Sequence, residues 1–388
     1  MTTRPEETLL LQTLRSFVRP DCGQPPTALL SQITDWPYLF SLASQHGVTP
    51  LVYQFLHDAA PAALPDPCLL ELQQGSRDRT MHSLRLTSDL LDVLLLFDLE
   101  GIPAVPFKGP ALAAELYGDL ALRDFSDIDI LIQRQDVARA KQTLVAHGYV
   151  TDLPADPAQQ AAYLRARYEL HFTAQSGTVI EIHQSFLAPF FSVDFDYPET
   201  WRRLEQKRFC GTEILALAPG DLLLALCAHG TKHGWSRLIW ICDIARLLAL
   251  RGGEVDWPRL LKRAARMGAS RMLLLGISLA HDLLDAPAPP EVLKQAEADA
   301  ATLRLAASVE QLLFAQPAAA DDLSHRFFLQ ARERMRDKFA YCARLAFTPT
   351  EEDHSAWPLP ASLSSLYYPF HAVRVLSKYG LKSLKSPQ

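Results

Sequence analysis

Two aspartates one residue apart, Asp127 and Asp129, are the side chains of this sequence best placed to do chemistry. They lie in Asp-Ile-Asp-Ile-Leu-Ile, residues 127–132, where acids alternate with apolar residues. On a strand, alternate side chains point to the same face, so both carboxylates share one face while Ile128 and Ile130 turn into a core. Like charges side by side on a strand repel each other, and the arrangement calls for a cation. A divalent metal fits: Mg²⁺ is typically held by one or two carboxylates, with water and substrate phosphates completing its shell. Asp-X-Asp is also short enough to arise by chance, so its neighbours carry the weight of the reading.

The elements around the pair supply that context. Residues 102–107 read as a short buried strand, Lys108-Gly109 as a turn, and residues 111–117 as a helix. Such a turn can bring backbone N–H groups and the Lys108 ammonium against a triphosphate. Pro110 has no N–H to donate, which weakens the phosphate-cradling part of that expectation. Just before the acidic strand, Arg123 has two readings, forking onto a phosphate or pinning the loop through Asp124 or Asp119. Ser126 reads as a cap or turn residue. Downstream, residues 168–173 and 178–183 flank Gln-Ser-Gly and read as a hairpin. Glu181 and His183 share a face there while Ile180 and Ile182 face the core, which makes Glu181 the natural third carboxylate. Three carboxylates on adjacent strands can hold two ions about 3.5–4 Å apart, one activating a hydroxyl and one neutralising a leaving pyrophosphate.

Three segments resemble a known family: KGPALAAELYGD-x-ALRDFSDIDILI, EIHQSF from Glu181, and HGTKHGWSRLIWICDIARLL from His229. Together they are similar to the uncharacterised bacterial nucleotidyltransferases of the DNA polymerase beta-like nucleotidyltransferase superfamily. The resemblance implies an α+β fold, with a mixed-sheet core flanked by helical regions. It implies Mg²⁺ (or Mn²⁺) and an NTP donor, with Asp127, Asp129 and Glu181 as catalytic metal ligands and Glu181 assisting deprotonation. Lys108 and Gly109 match the family's glycine-turn position.

The C-terminal segment adds a cationic face. His229, Lys232 and His233 stand at i, i+3 and i+4 of one helix. They read either as phosphate contacts facing the cleft or as satisfied polar core groups. Zinc is disfavoured, because a lysine sits beside the two histidines. In the next helix, placed at residues 235–250, Asp243 is expected to pair with Arg246 or to reach back to Lys232 or a histidine.

Helical periodicity marks residues 5–18, 27–57 and 69–100, with a break at 21–26. Arg77, Arg79 and Arg85 on the long helix read first as a solvated face. Three regions result: a helical region over 1–100, a catalytic domain over 101–218 and a helical domain over 219–388. The last contains a connection at 317–320 and a loop at 348–360. Net charge −6 and pI near 6.1 disfavour bulk nucleic acid as partner. The family resemblance implies a small molecule, glycan, peptide or protein as acceptor. No apolar run is long enough to span a membrane, six scattered cysteines suit a reducing compartment, and the N-terminus lacks a secretory layout. A cytoplasmic protein is expected. Two other readings stay open: a noncatalytic nucleotide-binding protein, and a transferase of another phosphoryl-linked group such as a sugar phosphate.

Overall fold

A computed structural model describes residues 4–19, 27–59, 66–151, 153, 168–315, 320–347 and 366–375. The break at 21–26, the loop at 348–360 and most of the connection at 317–320 lie outside these residues, as do Cys22 and the side chain of Cys68. The fold is α+β. Strands β1 (Ala104–Pro106), β2 (Asp127–Ile132), β3 (Val150–Thr151), β4 (Glu169–Thr173) and β5 (Val179–His183) form one mixed sheet in the order β1-β2-β5-β4-β3. Only β2 and β5 run parallel, and their register sets Asp129 directly beside Glu181.

The period of two decides what each face of the sheet meets. Ile128, Ile130, Ile132, Leu170, Phe172, Ile180 and Ile182 are buried in one cluster with Leu86, Leu90, Val93 and Phe97. The last four belong to the long helix Asp66–Leu99, which ends where Gly101, at φ 62°, turns the chain and Ile102 N–H donates to the Phe97 carbonyl. Val137, Ala140 and Leu144 of the helix Val137–Ala146 complete that layer. The opposite face carries Asp127, Asp129, Glu169, His171, Glu181 and His183. The predicted hairpin is tight: Gly177 sits at φ 84°, and Ser176 and Thr178 both donate to Asp89 on the long helix. A second, two-stranded sheet pairs β6 (Glu205–Phe209) with β7 (Thr212–Ala216).

Helices from both ends of the chain share the other core. Leu9, Leu10 and Leu14 of the helix Pro5–Val18 are buried together with Leu273, Ile277 and Leu284 of the helix Ser270–Leu284. Cys227 and Cys242 are free thiols buried in it, as expected of core fillers. The helix expected from residue 235 starts later, at Leu238, because Gly234 and Trp235 both take positive φ in the turn before it. Among the described residues no helix is long and apolar enough to cross a membrane.

One buried histidine makes this core sensitive to acid. His46 is fully buried, and its Nε2 lies 3.0 Å from the Leu313 carbonyl, the neutral ring donating. Burial lowers its pKa to about 4, below the ordinary value of a histidine. The unfolded chain thus takes up this proton before the folded one does, and its contribution to stability, complete above roughly pH 6.5, is lost as pH falls toward 4. The slope for one such group is about 1.4 kcal/mol per pH unit at most. In urea unfolding at pH 7 and pH 5, His46→Gln is expected to lose less stability on acidification than the parent. An equal loss in both would show that His46 is not the source.

Candidate active site

The acidic strand is set by the turn before the helix Gly109–Tyr117. Gly109 has φ 58°, and a Cβ there would lie 2.8 Å from the Asp127 carbonyl oxygen, so the chain passes against β2 only because this residue has no side chain. Pro110 occupies the first helical turn, where a missing N–H costs the helix nothing. Gly109→Ala is expected to cost at least about 2 kcal/mol, from the left-handed backbone together with the displaced strand. Denaturant unfolding measures it, and a cost under about 0.5 kcal/mol, the scale of an ordinary surface substitution, would contradict the close approach.

Lys108, which caps this helix, turns toward the carboxylates. Its Nζ lies 2.5 Å from Asp129 Oδ1, and His183 Nε2 lies 2.8 Å from the same oxygen. Neither approach is aligned as a hydrogen bond, leaving Asp129 Oδ1 and both nitrogens of His183 buried and without one. Glu181 Oε2 is 3.3 Å from His183 Nε2. Burial opposes the charged form of Asp129, but Lys108 and His183 outweigh it and hold the carboxyl well below its usual range. Asp127 is only half-buried, yet burial and then the neighbouring Asp129 push it up to about 6. The two aspartates therefore differ: one is locked ionised, the other is strained by its neighbours.

Outside this group, β4 contributes residues that the sequence reading passed over. Glu169 stands in register with His183, and His171 with Glu181. Burial works against ionised Glu169, but His171 and then His183 bring it down to about 2. The signal was present as a repeated Glu-x-His, once in Glu169-Leu-His171 and again in Glu181-Ile-His183, on two strands already read as a hairpin. Two groups of potential ligand atoms result, Asp129–Glu181–His183 and Glu169–His171–Glu181. Within each, the atoms lie within 4.8 Å of one another, a spacing able to hold a divalent ion. An orphaned buried carboxylate oxygen beside an orphaned imidazole suits such an ion well.

The helix Pro219–Lys232 faces this patch. Lys232 Nζ donates to the Tyr168 hydroxyl at 2.7 Å, and burial lowers the pKa of its ammonium, an effect that Glu169 offsets in part. His229 and His233 lie 4.7 Å apart by ring centroid, and each packs on Trp240. Burial lowers the pKa of both, His233 to about 4 and His229 well below its ordinary value, so both rings are neutral near pH 7. Neither is in a group able to hold a metal among the described residues.

Residues 32–285 match the model of a family described as "Uncharacterised nucleotidyltransferase". The chain belongs to that family. No curated protein and no solved structure matches it. The match covers the sheet, the acidic strand and the helices that face them, and the chain is a nucleotidyltransferase.

Two expectations for this nucleotidyltransferase need correction. Arg123 neither pairs with Asp124 or Asp119 through its fork nor offers the fork to a phosphate: it is buried and bidentate to Asp243, Nε and Nη2 lying 2.9 and 2.8 Å from the two carboxylate oxygens. Its remaining Nη1 points at the Asp124 carbonyl, 3.5 Å away. Asp243 also accepts from the Tyr117 hydroxyl at 2.9 Å, so it does not reach Arg246, Lys232 or a histidine. Arg246 instead donates to the Leu116 and Phe17 carbonyls. Ser126 is exposed at the entrance to β2.

Proposed function

We propose that this nucleotidyltransferase moves an NMP unit from an NTP to an acceptor hydroxyl or phosphate, with Mg²⁺ or Mn²⁺ as cofactor and pyrophosphate as product. The observation carrying this reading is the parallel register that places Asp129 beside Glu181, with Asp127 two residues earlier on the same face. Asp129 and Glu181, with Asp127 on the same face, would hold the divalent ion, which would supply Lewis-acid activation of the attacking oxygen and neutralise charge on the leaving group. The acceptor oxygen attacks the α-phosphorus, the bond to pyrophosphate breaks, and Glu181 takes the hydroxyl proton. Lys108 is a mobile point charge for a phosphate oxygen. Lys232, held by Tyr168 and flanked by His229 and His233, offers a second cation across the cleft. Acidic overall charge favours a small-molecule, glycan, peptide or protein acceptor over bulk nucleic acid.

Calorimetric titration with each NTP and Mg²⁺ tests the proposal, with Asp127→Ala/Asp129→Ala as control. Metal-dependent binding of an NTP that disappears in the variant is the expected result. Equal binding by both proteins, with the same metal dependence, would place the nucleotide elsewhere.

A further inference from the structure

Asp127, Asp129 and Glu181 leave one neighbour without a role. His183 is 3% exposed, and neither of its ring nitrogens makes a hydrogen bond. A buried imidazole normally finds a partner, as His46 does in the Leu313 carbonyl. His183 is instead aimed between two carboxylates, its ring held edge-on by Phe107 at 5.2 Å. As a counterion for Asp129 alone it would duplicate Lys108, which already reaches the same oxygen.

The spacing fits a different role. Two ligands bonded to one ion at about 2.1 Å, and at right angles, are about 3 Å apart. His183 Nε2 stands 2.8 Å from Asp129 Oδ1 and 3.3 Å from Glu181 Oε2, which brackets that edge. Two edges from His183 Nε2 thus match the edge of a coordination shell, and Asp129, Glu181 and His183 each offer a ligand atom within 4.8 Å of the others. Mg²⁺ takes oxygen ligands almost exclusively, whereas imidazole suits first-row transition ions.

We propose that His183 is itself a ligand of the divalent ion, making a mixed carboxylate–imidazole centre that selects a first-row transition-metal ion over Mg²⁺. The proposal rests on the reading of Asp129 and Glu181 as an ion site, and adds a nitrogen donor and a metal preference to it. The outer group of Glu169, His171 and Glu181 shares a carboxylate with the site and supplies the control histidine.

The test uses the full chain with Mn²⁺ as probe. Pulsed electron paramagnetic resonance of the bound ion should show ¹⁴N modulation from an imidazole in the parent protein and in His171→Gln, and none in His183→Gln. In metal titrations the ratio of the Mg²⁺ to the Mn²⁺ dissociation constant should fall about tenfold in His183→Gln, the scale of losing one ligand-shell interaction. Mn²⁺ that binds, is lost in Asp129→Ala and shows no nitrogen modulation would overturn the proposal while leaving the ion site standing. Modulation lost in His171→Gln and kept in His183→Gln would also overturn it, assigning the donor to the outer group. No Mn²⁺ binding at all would remove the ion site, and the proposed function with it. If His183→Gln fails to fold, the His171→Gln spectrum decides: nitrogen modulation kept there leaves His183 as the donor, and modulation lost there overturns the proposal.

Discussion

Asp127→Asn is expected to reduce nucleotide transfer by at least about 10³-fold, the scale on which removing a group that stabilises transition-state charge acts. It should do so without weakening the fold. Asp127 is crowded by Asp129 and Glu181, and burial with that crowding raises its carboxyl to about 6. For an acid raised in the folded state the penalty is absent below the unfolded value of roughly 4 and fully present above about 6. The variant should therefore be more stable than the parent at pH 7, by about 1 kcal/mol once partial exposure is discounted, and no more stable at pH 4. Asp129→Asn should behave oppositely in stability, because Lys108 and His183 would be left without their shared counterion. Thermal unfolding of both variants at the two pH values, with an activity assay, separates the roles. If Asp127→Asn lost stability and activity together, Asp127 would be a structural residue.

The second large effect concerns Arg123. Replacing it with Met leaves Asp243 buried and unpaired, and breaking a buried pair by removing one partner costs about 3–5 kcal/mol. Replacing both partners, Arg123→Met with Asp243→Asn, should recover at least half of that loss, since the Tyr117 hydroxyl keeps an acceptor and no lone charge remains. A double-mutant cycle in urea measures the coupling. A coupling near zero would mean that the pair contributes nothing. Because Arg123 sits just ahead of β2 and Asp243 on the helix Leu238–Arg251, the pair joins the acidic strand to the helical layer. Transfer should accordingly fall in the single variant and return in part in the double.

These two cases also mark what the sequence could and could not reveal. The shared face of the β2 acids and the position of Glu181 on β5 were legible because a strand has a period of two and these charges alternate with isoleucines. The hairpin between β4 and β5 was legible from its Gln-Ser-Gly turn. The hairpin of β6 and β7 is hard to read from the sequence: Thr212–Ala216 is two polar residues followed by three apolar ones, with no alternation, and Glu205–Phe209 is mostly charged. The turn between them has φ 47° and 89° at Cys210 and Gly211, a pairing less diagnostic than Asn-Gly. Arg123 and Asp243 are 120 residues apart, and local reasoning offered each a nearer partner of the right charge. His183 was noticed on the right face, but the repeat of Glu-x-His on the two strands shows which residues recur and not which ones meet. Its pairing opposite Glu169, and that of His171 opposite Glu181, emerges only once the register is known.

The contact between the first helix and a late one has a consequence for the order of events during synthesis. Arg15 donates to the Leu283 carbonyl, 268 residues further on, and the leucines beside it are buried in a core that this distant helix helps to close. A ribosome delivers Glu181 roughly a hundred residues before Leu283, and Asp127 and Asp129 roughly 155 before it, or about 5–30 s earlier at ordinary elongation rates. Until residue 232 is made the nascent chain carries its acids with no Lys232 opposite them, and until Leu283 follows, the apolar layer of its first helices stays unclosed. Chains stalled near residue 218 should thus recruit chaperones through exposed leucines and leave NTP intact, and both properties should switch as the helices after residue 219 emerge.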